Sequence, residues 1–392
     1  MPSFATLADF ETVRNMNVLI VDDNEMARLL LENVLKNRLF SKILSVGTAE
    51  GALRILPEFK PDIIILDILM PGMNGLECCK LIRSMPEHKN LPILVQTAAT
   101  DINFRVQAFV NGATDFVTSP IMPEELFARV SVHLQNRDYI KRLLHFKERM
   151  MHELNSACKL QTSILPSEQE LQQIHERTGL DLAAHFEPSL EIGGDFWGVK
   201  CLDDAHVALW ITDFSGHGVT AALNTFTLQA YLKESSPLAY KPDQYLGYLN
   251  AKLLQILVKG HFATMFYGVV NTRNNTLTYS CACSPNPILL KTNGSVQLLE
   301  GKGNLLGVGA FEYDSHVVPY EPGDTLLLYS DALIESPDED GFFIEENVLL
   351  TEAETMPNAQ ASDVLDVILG LLRRHTNGRI TDDLTLCVCK RA

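Results

Sequence analysis

Between residues 15 and 134, short apolar runs alternate with segments whose apolar residues recur at helical spacing. NVLIVDD reads as a buried strand ending in acid, and NEMARLLLENVLKNRL as a helix. KILSVG follows as a strand and TAEGALRILPEF as a helix; DIIILDI, PILVQTA and TDFVTS continue the series. Strands that are apolar throughout and separated by helices predict a parallel sheet covered on both faces. Ligands of such sheets gather at the carboxyl ends of the strands.

After Pro123 the pattern changes. No further proline or glycine occurs until Pro166, which predicts one helix of about 40 residues with Pro123 in its first turn. A heptad frame fits from Ile140. Ile140, Lys147, Leu154 and Gln161 take one seam position; Leu143, Met150, Ala157 and Ile164 take the other. Lys147 and Gln161 would lower stability while fixing register. The frame predicts a parallel dimerisation stalk; the alternative is one long helix packed on its own domains.

From about residue 180, strand-like runs follow one another: DLAAHF, HVALWITD, TMFYGVVN, TLTYSCAC, PILLKT, DTLLLYSD and LTLCVC. Helical stretches fall at 218–234, 243–258 and 361–374. Runs of strands with segregated helices predict an α+β domain. PDEDG at 337–341 reads as a solvated acidic loop.

Composition adds exclusions. Of 392 residues, 46 % are apolar and 21 % charged, which is ordinary globular usage. No stretch approaches the roughly 20 apolar residues of a membrane span, and the N-terminus lacks a signal-peptide pattern. A net charge of −17 argues against a nucleic-acid binder and against docking on anionic membranes. The eight cysteines form no CxxC pair. Cys281/Cys283 and Cys387/Cys389 are expected each on one face of a strand, as buried reduced thiols of a cytoplasmic protein.

Acids mark the strand ends. Asp22 and Asp23 close the first strand and Asp67 the third. Three carboxylates at one sheet edge need a cation, and oxygen-only ligands select a hard ion such as Mg²⁺. A carboxylate held there can accept a phosphoryl group, and Thr97, ending the fourth strand, could hydrogen-bond it. Separate helix N-caps are the plainer alternative. VDDN, LDILMPGMNGLE, QTAA and DFVTSP, in that order, closely resemble the landmarks of a response-regulator receiver domain across 15–135. The resemblance implies a flavodoxin-like α/β fold with a five-stranded parallel sheet. It makes Asp67 the phosphoacceptor and assigns Mg²⁺ to Asp23, Asp67 and the Leu69 carbonyl, with Asp22 assisting. Thr97 becomes the switch hydroxyl and Phe116 the switch aromatic. One position departs: Ser119 stands where the family has a lysine before Pro120, so a charge-assisted contact to the phosphoryl group is missing.

A second set of acids lies further on. Asp195 is in EIGGDFWG, Asp213 in ITDFSGHG, Asp331 in SDALIE, and Asp382 and Asp383 in DDLT. Each sits at a strand edge beside glycine or a small residue, with no histidine or cysteine at metal-ligand spacing. That suggests a hard-cation site, and a pair of such ions can activate a water for in-line attack on phosphorus. Independent turn acids are the alternative. No G-x-G-x-x-G or GxxxxGK[ST] is present, so a phosphate-cradling loop is excluded. The ordered set, with QTSILP at 161–166 upstream, resembles the SpoIIE-like branch of type 2C metal-dependent protein phosphatases over about 160–390. The resemblance implies an α+β β-sandwich flanked by helices. It gives Asp195 and Asp213 the bridging of two Mn²⁺ or Mg²⁺ ions. The Phe214 carbonyl, Asp331 and Asp382 complete the ligands; Asp383 is a supporting residue. Ala332 replaces the family's usual glycine. His217 is read as a turn or rim residue rather than a catalytic acid.

Three segments are therefore expected: a receiver at 15–135, a helical linker at 123–166 and a SpoIIE-like phosphatase domain at 167–392. The layout resembles RssB-type response regulators. It implies a phosphoserine/phosphothreonine phosphatase under receiver control and acting on a phosphorylated anti-sigma factor antagonist. A sensor histidine kinase or phosphotransfer protein would serve as phosphodonor, and the chain would form a homodimer through the linker. The rival expectation is an adaptor that binds a stationary-phase sigma factor and delivers it to a protease. The retained acids favour the enzyme.

Overall fold

The computed structural model describes residues 15–38, 40–98, 102–190, 192–216, 218–356 and 359–392. The chain divides into two units, one ending at Met150 and the other spanning Met151–Ala392.

In the first unit β1 (Asn17–Val21), β2 (Lys42–Val46), β3 (Ile63–Asp67), β4 (Ile93–Ala98) and β5 (Asp115–Ser119) form a parallel sheet. Its order is β2-β1-β3-β4-β5. Helices α1 (Glu25–Lys36), α2 (Ala49–Phe59), α3 (Gly75–Ser84) and α4 (Ile102–Val110) alternate with the strands. Residues 18–21 and 63–66 are buried without exception, as the unbroken apolar runs require when both sheet faces are covered. Leu19, Ile64 and Val95 pack on one side; Ile20, Ile65 and Leu94 pack on the other. The strand order reverses at β1/β3, and that crevice receives the ends carrying Asp22 and Asp67. α3 starts with a capping box between Asn74 and Glu77, worth about 1 kcal/mol.

α5 runs without interruption over Pro123–Ile164, as the absence of internal proline and glycine demands. Ile140, Leu143 and Met150 of the heptad frame are exposed. Gln161 corrects the frame: it is 1 % exposed, buried against backbone of its own unit instead of lying in an open seam. A short helix not expected from the sequence, α6 (Glu168–Thr178), follows Pro166; the Ser167–Glu170 capping box starts it and left-handed Gly179 ends it.

The second unit is a sandwich of two antiparallel five-stranded sheets; with β6 (Leu180–Glu187), β11 (Ile288–Leu290), β12 (Val296–Leu298) and β13 (His316–Pro319), their orders are β13-β10-β9-β8-β7 and β12-β11-β14-β15-β6. The site depends on β7 (Asp195–Cys201), β8 (His206–Phe214), β9 (Ala263–Asn271), β14 (Thr325–Tyr329) and β15 (Leu384–Arg391). Alternation along the strands sorts their side chains. Trp197, Leu209 and Ile211 meet Cys387 and Cys389 between the sheets. Phe196 and Trp210 face the other way, against α7 (Val219–Lys233) and α8 (Pro242–Ile256). Two further helices, α10 (Glu346–Glu354) and α11 (Ala361–His375), cover the second sheet; the four-residue α9 (Ala332–Glu335) lies between β14 and α10. The cysteine pairs behave differently. Cys387 and Cys389 are both buried in β15, whereas Cys283 lies past the end of β10 (Thr276–Ala282), exposed and with φ of 52°. The strand simply ends one residue before Cys283.

Candidate functional site

Carboxylate oxygens of Asp22, Asp23 and Asp67 lie within 4.8 Å of one another at the carboxyl edge of the parallel sheet. Asp22 is 4 % exposed; it accepts from Gln96 Nε2 at 3.2 Å and from the Asn24 N–H at 2.8 Å. Burial, then the Asp22 charge, push the Asp67 carboxyl up to about 6, against the N–H groups of Leu69 and Ile68 that favour its ionised form. Three oxygen ligands so placed fit a hard divalent ion. Gly75 keeps the loop tight: a Cβ there would lie 2.1 Å from the Asp67 carbonyl oxygen. Arg28, which the sequence did not single out, donates to the carbonyls of Asp22 at 2.7 Å and Asp23 at 3.1 Å.

Thr97 is buried at the end of β4, opposite Thr118 of β5. Ser119 is exposed and precedes a cis bond to Pro120. Phe116 is half-buried between two guanidinium groups, Arg105 at 4.6 Å and Arg129 at 5.3 Å from its ring centre. Arg129 also pairs with Asp115 at 2.7 Å, and that pairing together with His133 holds the Asp115 carboxyl below its usual range despite burial.

The second acid set assembles at one end of the sandwich. Asp195 opens β7 and stands directly opposite Asp213 near the end of β8. Asp195 is 1 % exposed, and neither carboxylate oxygen has a hydrogen-bond partner among the described residues. The Ser330 hydroxyl beside it is committed to the Asp383 carbonyl, and Thr385 Oγ1 makes no bond of normal geometry. Burial and the Asp213 charge hold the Asp195 carboxyl well above the usual carboxylate range. Burial, followed by the charges of Asp331 and Asp382, pushes Asp213 up to about 8; burial and Asp382 push Asp331 up to about 6. A buried carboxylate with no donor is costly unless it is protonated or holds a metal. Asp331 follows β14 and Asp382 precedes β15, so both sheets contribute.

The glycines explain how the backbone comes so close. A Cβ on Gly194 would sit 2.6 Å from the Phe214 carbonyl oxygen. Gly216 and Gly218 take φ of 86° and 81°, letting the chain turn from β8 into α7. The Asp383 carboxylate is taken up by the loop before Asp195, near enough that its charge adds to those raising Asp213 and Asp331. It accepts from the Gly194 N–H at 2.6 Å and from the Ser189 N–H and hydroxyl at 2.7 and 2.9 Å. Gln161 adds a clamp that the heptad frame misread: its amide nitrogen donates to the Gly193 carbonyl at 2.7 Å and its amide oxygen accepts from the Gly193 N–H at 3.1 Å. The proximity of QTSILP to the domain was the available signal. His217 lies outside the described residues.

Residues 18–131 match the response regulator receiver domain and residues 203–392 match Stage II sporulation protein E, SpoIIE. The chain joins a receiver domain to a domain that matches the SpoIIE family. The receiver is 37 % identical over 123 residues to the transcriptional regulatory protein YvrH of Bacillus subtilis, which spans 31 % of this chain and 51 % of YvrH. It is 34 % identical over 145 residues to the cyclic di-GMP phosphodiesterase response regulator RpfG of Xanthomonas campestris, spanning 36 % of this chain and 38 % of RpfG. The chain thus spans about half the length, or less, of these curated relatives. The SiaA-PP2C domain of Pseudomonas aeruginosa superposes with a TM-score of 0.55 at 20 % identity, covering 62 % of this chain and 98 % of that domain. That likeness shows that the C-terminal domain has the fold of a PP2C domain. Asp195 and Gln161 precede the matched SpoIIE segment, so their place in the site rests on geometry.

Proposed function

We propose that the chain is a two-component response regulator whose output is a metal-dependent protein serine/threonine phosphatase. The observation that carries this is Asp195: a fully buried carboxylate with no hydrogen bond of normal geometry among the described residues, directly opposite Asp213. Asp195, Asp213, Asp331, Asp382 and the Phe214 carbonyl are the groups that would hold two Mn²⁺ or Mg²⁺ ions. Among the described residues only the receiver trio is gathered within 4.8 Å; the looser second set suits more than one ion. Bound there, the ions would supply Lewis acidity and an activated water for in-line attack on phosphorus. The chain's own part is to fix geometry: the β7–β8 pairing holds Asp195 to Asp213, and Asp383 and Gln161 hold the glycine loop between them.

In the receiver, Asp67 is the proposed phosphoacceptor and Asp22, Asp23 and the Leu69 carbonyl the proposed Mg²⁺ companions. Thr97 and Phe116 would form the switch, with Ser119 unable to supply a cation. The phosphodonor would be a sensor histidine kinase or phosphotransfer protein. A phosphorylated anti-sigma factor antagonist is the proposed substrate, placing the chain upstream of a general-stress sigma factor. Exposed Ile140, Leu143 and Met150 support a homodimer through α5. Among the described residues no helix is long and apolar enough to cross a membrane; a cytoplasmic location is part of the proposal.

The test is Mn²⁺-dependent hydrolysis of a phosphoserine peptide by full-length protein, with Asp213→Asn as control. Turnover that needs both Mn²⁺ and Asp213 is expected. Absence of turnover with Mn²⁺, and no effect of Asp213→Asn, would leave the sigma-factor adaptor as the better reading.

A further inference from the structure

A cavity of about 300 Å³ lies entirely within the C-terminal unit, where the end of α5 and α6 meet β7 and α7. It is apart from the acid cluster: neither Asp195 nor Asp213 lines it. Its inner wall is apolar. Ile174, Trp210 and Leu232 are buried there, and Ile164 and Leu165 are half-buried. Gly198 belongs to the same wall; a Cβ at this position would come within 2.3 Å of the Trp210 ring, so glycine lets the indole lie against β7.

Two polar side chains more than nine-tenths buried also line the cavity, and each keeps an atom without a partner among the described residues. These are Trp210 Nε1 and Gln229 Oε1. Buried polar atoms are normally paired. Charge at the mouth is equally specific. Arg177, Lys200 and Lys233 face a single acid, Glu170, in a chain of net charge −17. Lys200 is committed to the carbonyls of Leu232, Lys233 and Glu234 at 3.0–3.1 Å. Arg177 shares a solvent-exposed pair with Asp204. Lys233 is exposed and is the mouth cation best placed to meet an anion.

We propose that this cavity binds a small amphipathic carboxylate, its apolar body against Trp210 and Leu232 and its anionic head at Lys233 and Arg177. At the ~30 Å³ that a water-sized group takes in a liquid, the space holds about ten non-hydrogen atoms. Occupancy bears on the phosphatase site through the end of α5. The Gln229 amide donates to the Ile164 carbonyl at 2.9 Å, and Gln161, one turn earlier, holds Gly193. A molecule seated against this Gln229–Ile164 hydrogen bond therefore bears on how firmly the clamp next to Asp195 is held.

Binding is measured on the full chain, without reference to turnover, by calorimetric titration with sodium octanoate at fixed ionic strength. Tryptophan emission, followed in parallel, localises the event. A dissociation constant on the order of 0.1–1 mM is expected for a ligand of this size, with a saturable change in emission. Lys233→Glu should weaken it about tenfold, as should replacing octanoate by 1-octanol. Val199→Phe, which enlarges a half-buried residue lining the cavity and bordering the layer between the sheets, should abolish it. The proposal is overturned if octanoate shows no saturable binding up to ~10 mM. It is equally overturned if 1-octanol binds as well and Lys233→Glu changes nothing, or if binding survives in a folded Val199→Phe protein. Should Val199→Phe not fold, the Lys233→Glu and octanol comparisons decide.

Discussion

Replacing Asp213 by asparagine should make the metal-free protein more stable while ending its activity. Burial and the charges of Asp331, Asp382 and Asp383 raise the Asp213 carboxyl from its usual 3.8 to about 8. Each factor of ten in a proton equilibrium is worth about 1.4 kcal/mol, so ionised Asp213 costs the metal-free fold at most ~6 kcal/mol. Asp213 is half-buried, and water reaching it lowers that cost to about 2–3 kcal/mol. Because the folded-state value is the raised one, this contribution is fully favourable below about pH 4 and is lost as pH rises to about 8. Asparagine never ionises. In EDTA at pH 8.5, Asp213→Asn should therefore unfold about 5–10 °C above wild type in the transition of the C-terminal unit. The gap should close towards pH 5. Saturating Mn²⁺ should reverse the order, since a ligand at a hundred times its dissociation constant adds about 2.7 kcal/mol to the protein that binds it. Calorimetric unfolding with and without Mn²⁺, beside the phosphopeptide assay, reads all three effects. A variant less stable than wild type in EDTA at pH 8.5, or one that Mn²⁺ stabilises as strongly as wild type, refutes the reasoning.

Three further outcomes follow from particular residues. Ser119→Lys should raise the steady-state level of phosphorylated Asp67 with a small-molecule phosphodonor by about 10- to 150-fold, the value of one charge-assisted contact of about 1.5–3 kcal/mol; phosphate-affinity gels measure it, with Asp67→Ala as blank, and an unchanged level would mean the vacant position is compensated elsewhere. Gly194→Ala forces a methyl to 2.6 Å from the Phe214 carbonyl oxygen; it should cost about 1–3 kcal/mol and weaken Mn²⁺ binding in calorimetry while leaving Asp67 phosphorylation intact. Leu143→Glu, at a residue 68 % exposed on α5, should turn a dimer into a monomer by light scattering; a wild-type protein already monomeric at ~10 µM removes the stalk.

The receiver was legible almost whole, because a sheet buried on both faces leaves apolar runs with no ambiguity of period, and its acids end those runs. The uninterrupted helix was legible for a similar reason: nothing between Pro123 and Pro166 could break it. Gln161 was not. A heptad frame records spacing but not what a polar side chain meets, and Gln161 meets backbone 32 residues away. β7 was half legible: Asp195 was placed at a strand edge, but the glycines around it kept the run that follows out of the strand series until Asp195 is seen paired with Asp213. The four acids could be picked out by strand-edge position, yet the contrast between Asp382 and Asp383 could not. Both charges act on Asp213, but only the Asp383 carboxylate is taken up by the Ser189 and Gly194 N–H groups, a difference of partners that position along the chain does not record. α6 and α10 were missed because α6 is mostly polar, and the buried side of α10 is confined to a few residues such as Leu349 and Ala353.

That contrast has a mechanical consequence. Asp195 belongs to one sheet and Asp382 leads into the other, while Asp383 ties the loop before Asp195 to the strand after Asp382. The distance between the two faces of the sandwich is thus written into the spacing of the acids. Affinity for a divalent ion then works as a gauge of interior thickness. A substitution at Cys387 or Ile211, far from any carboxylate in chemistry but central to the layer between the sheets, should be felt first as a change in how tightly the ion is held.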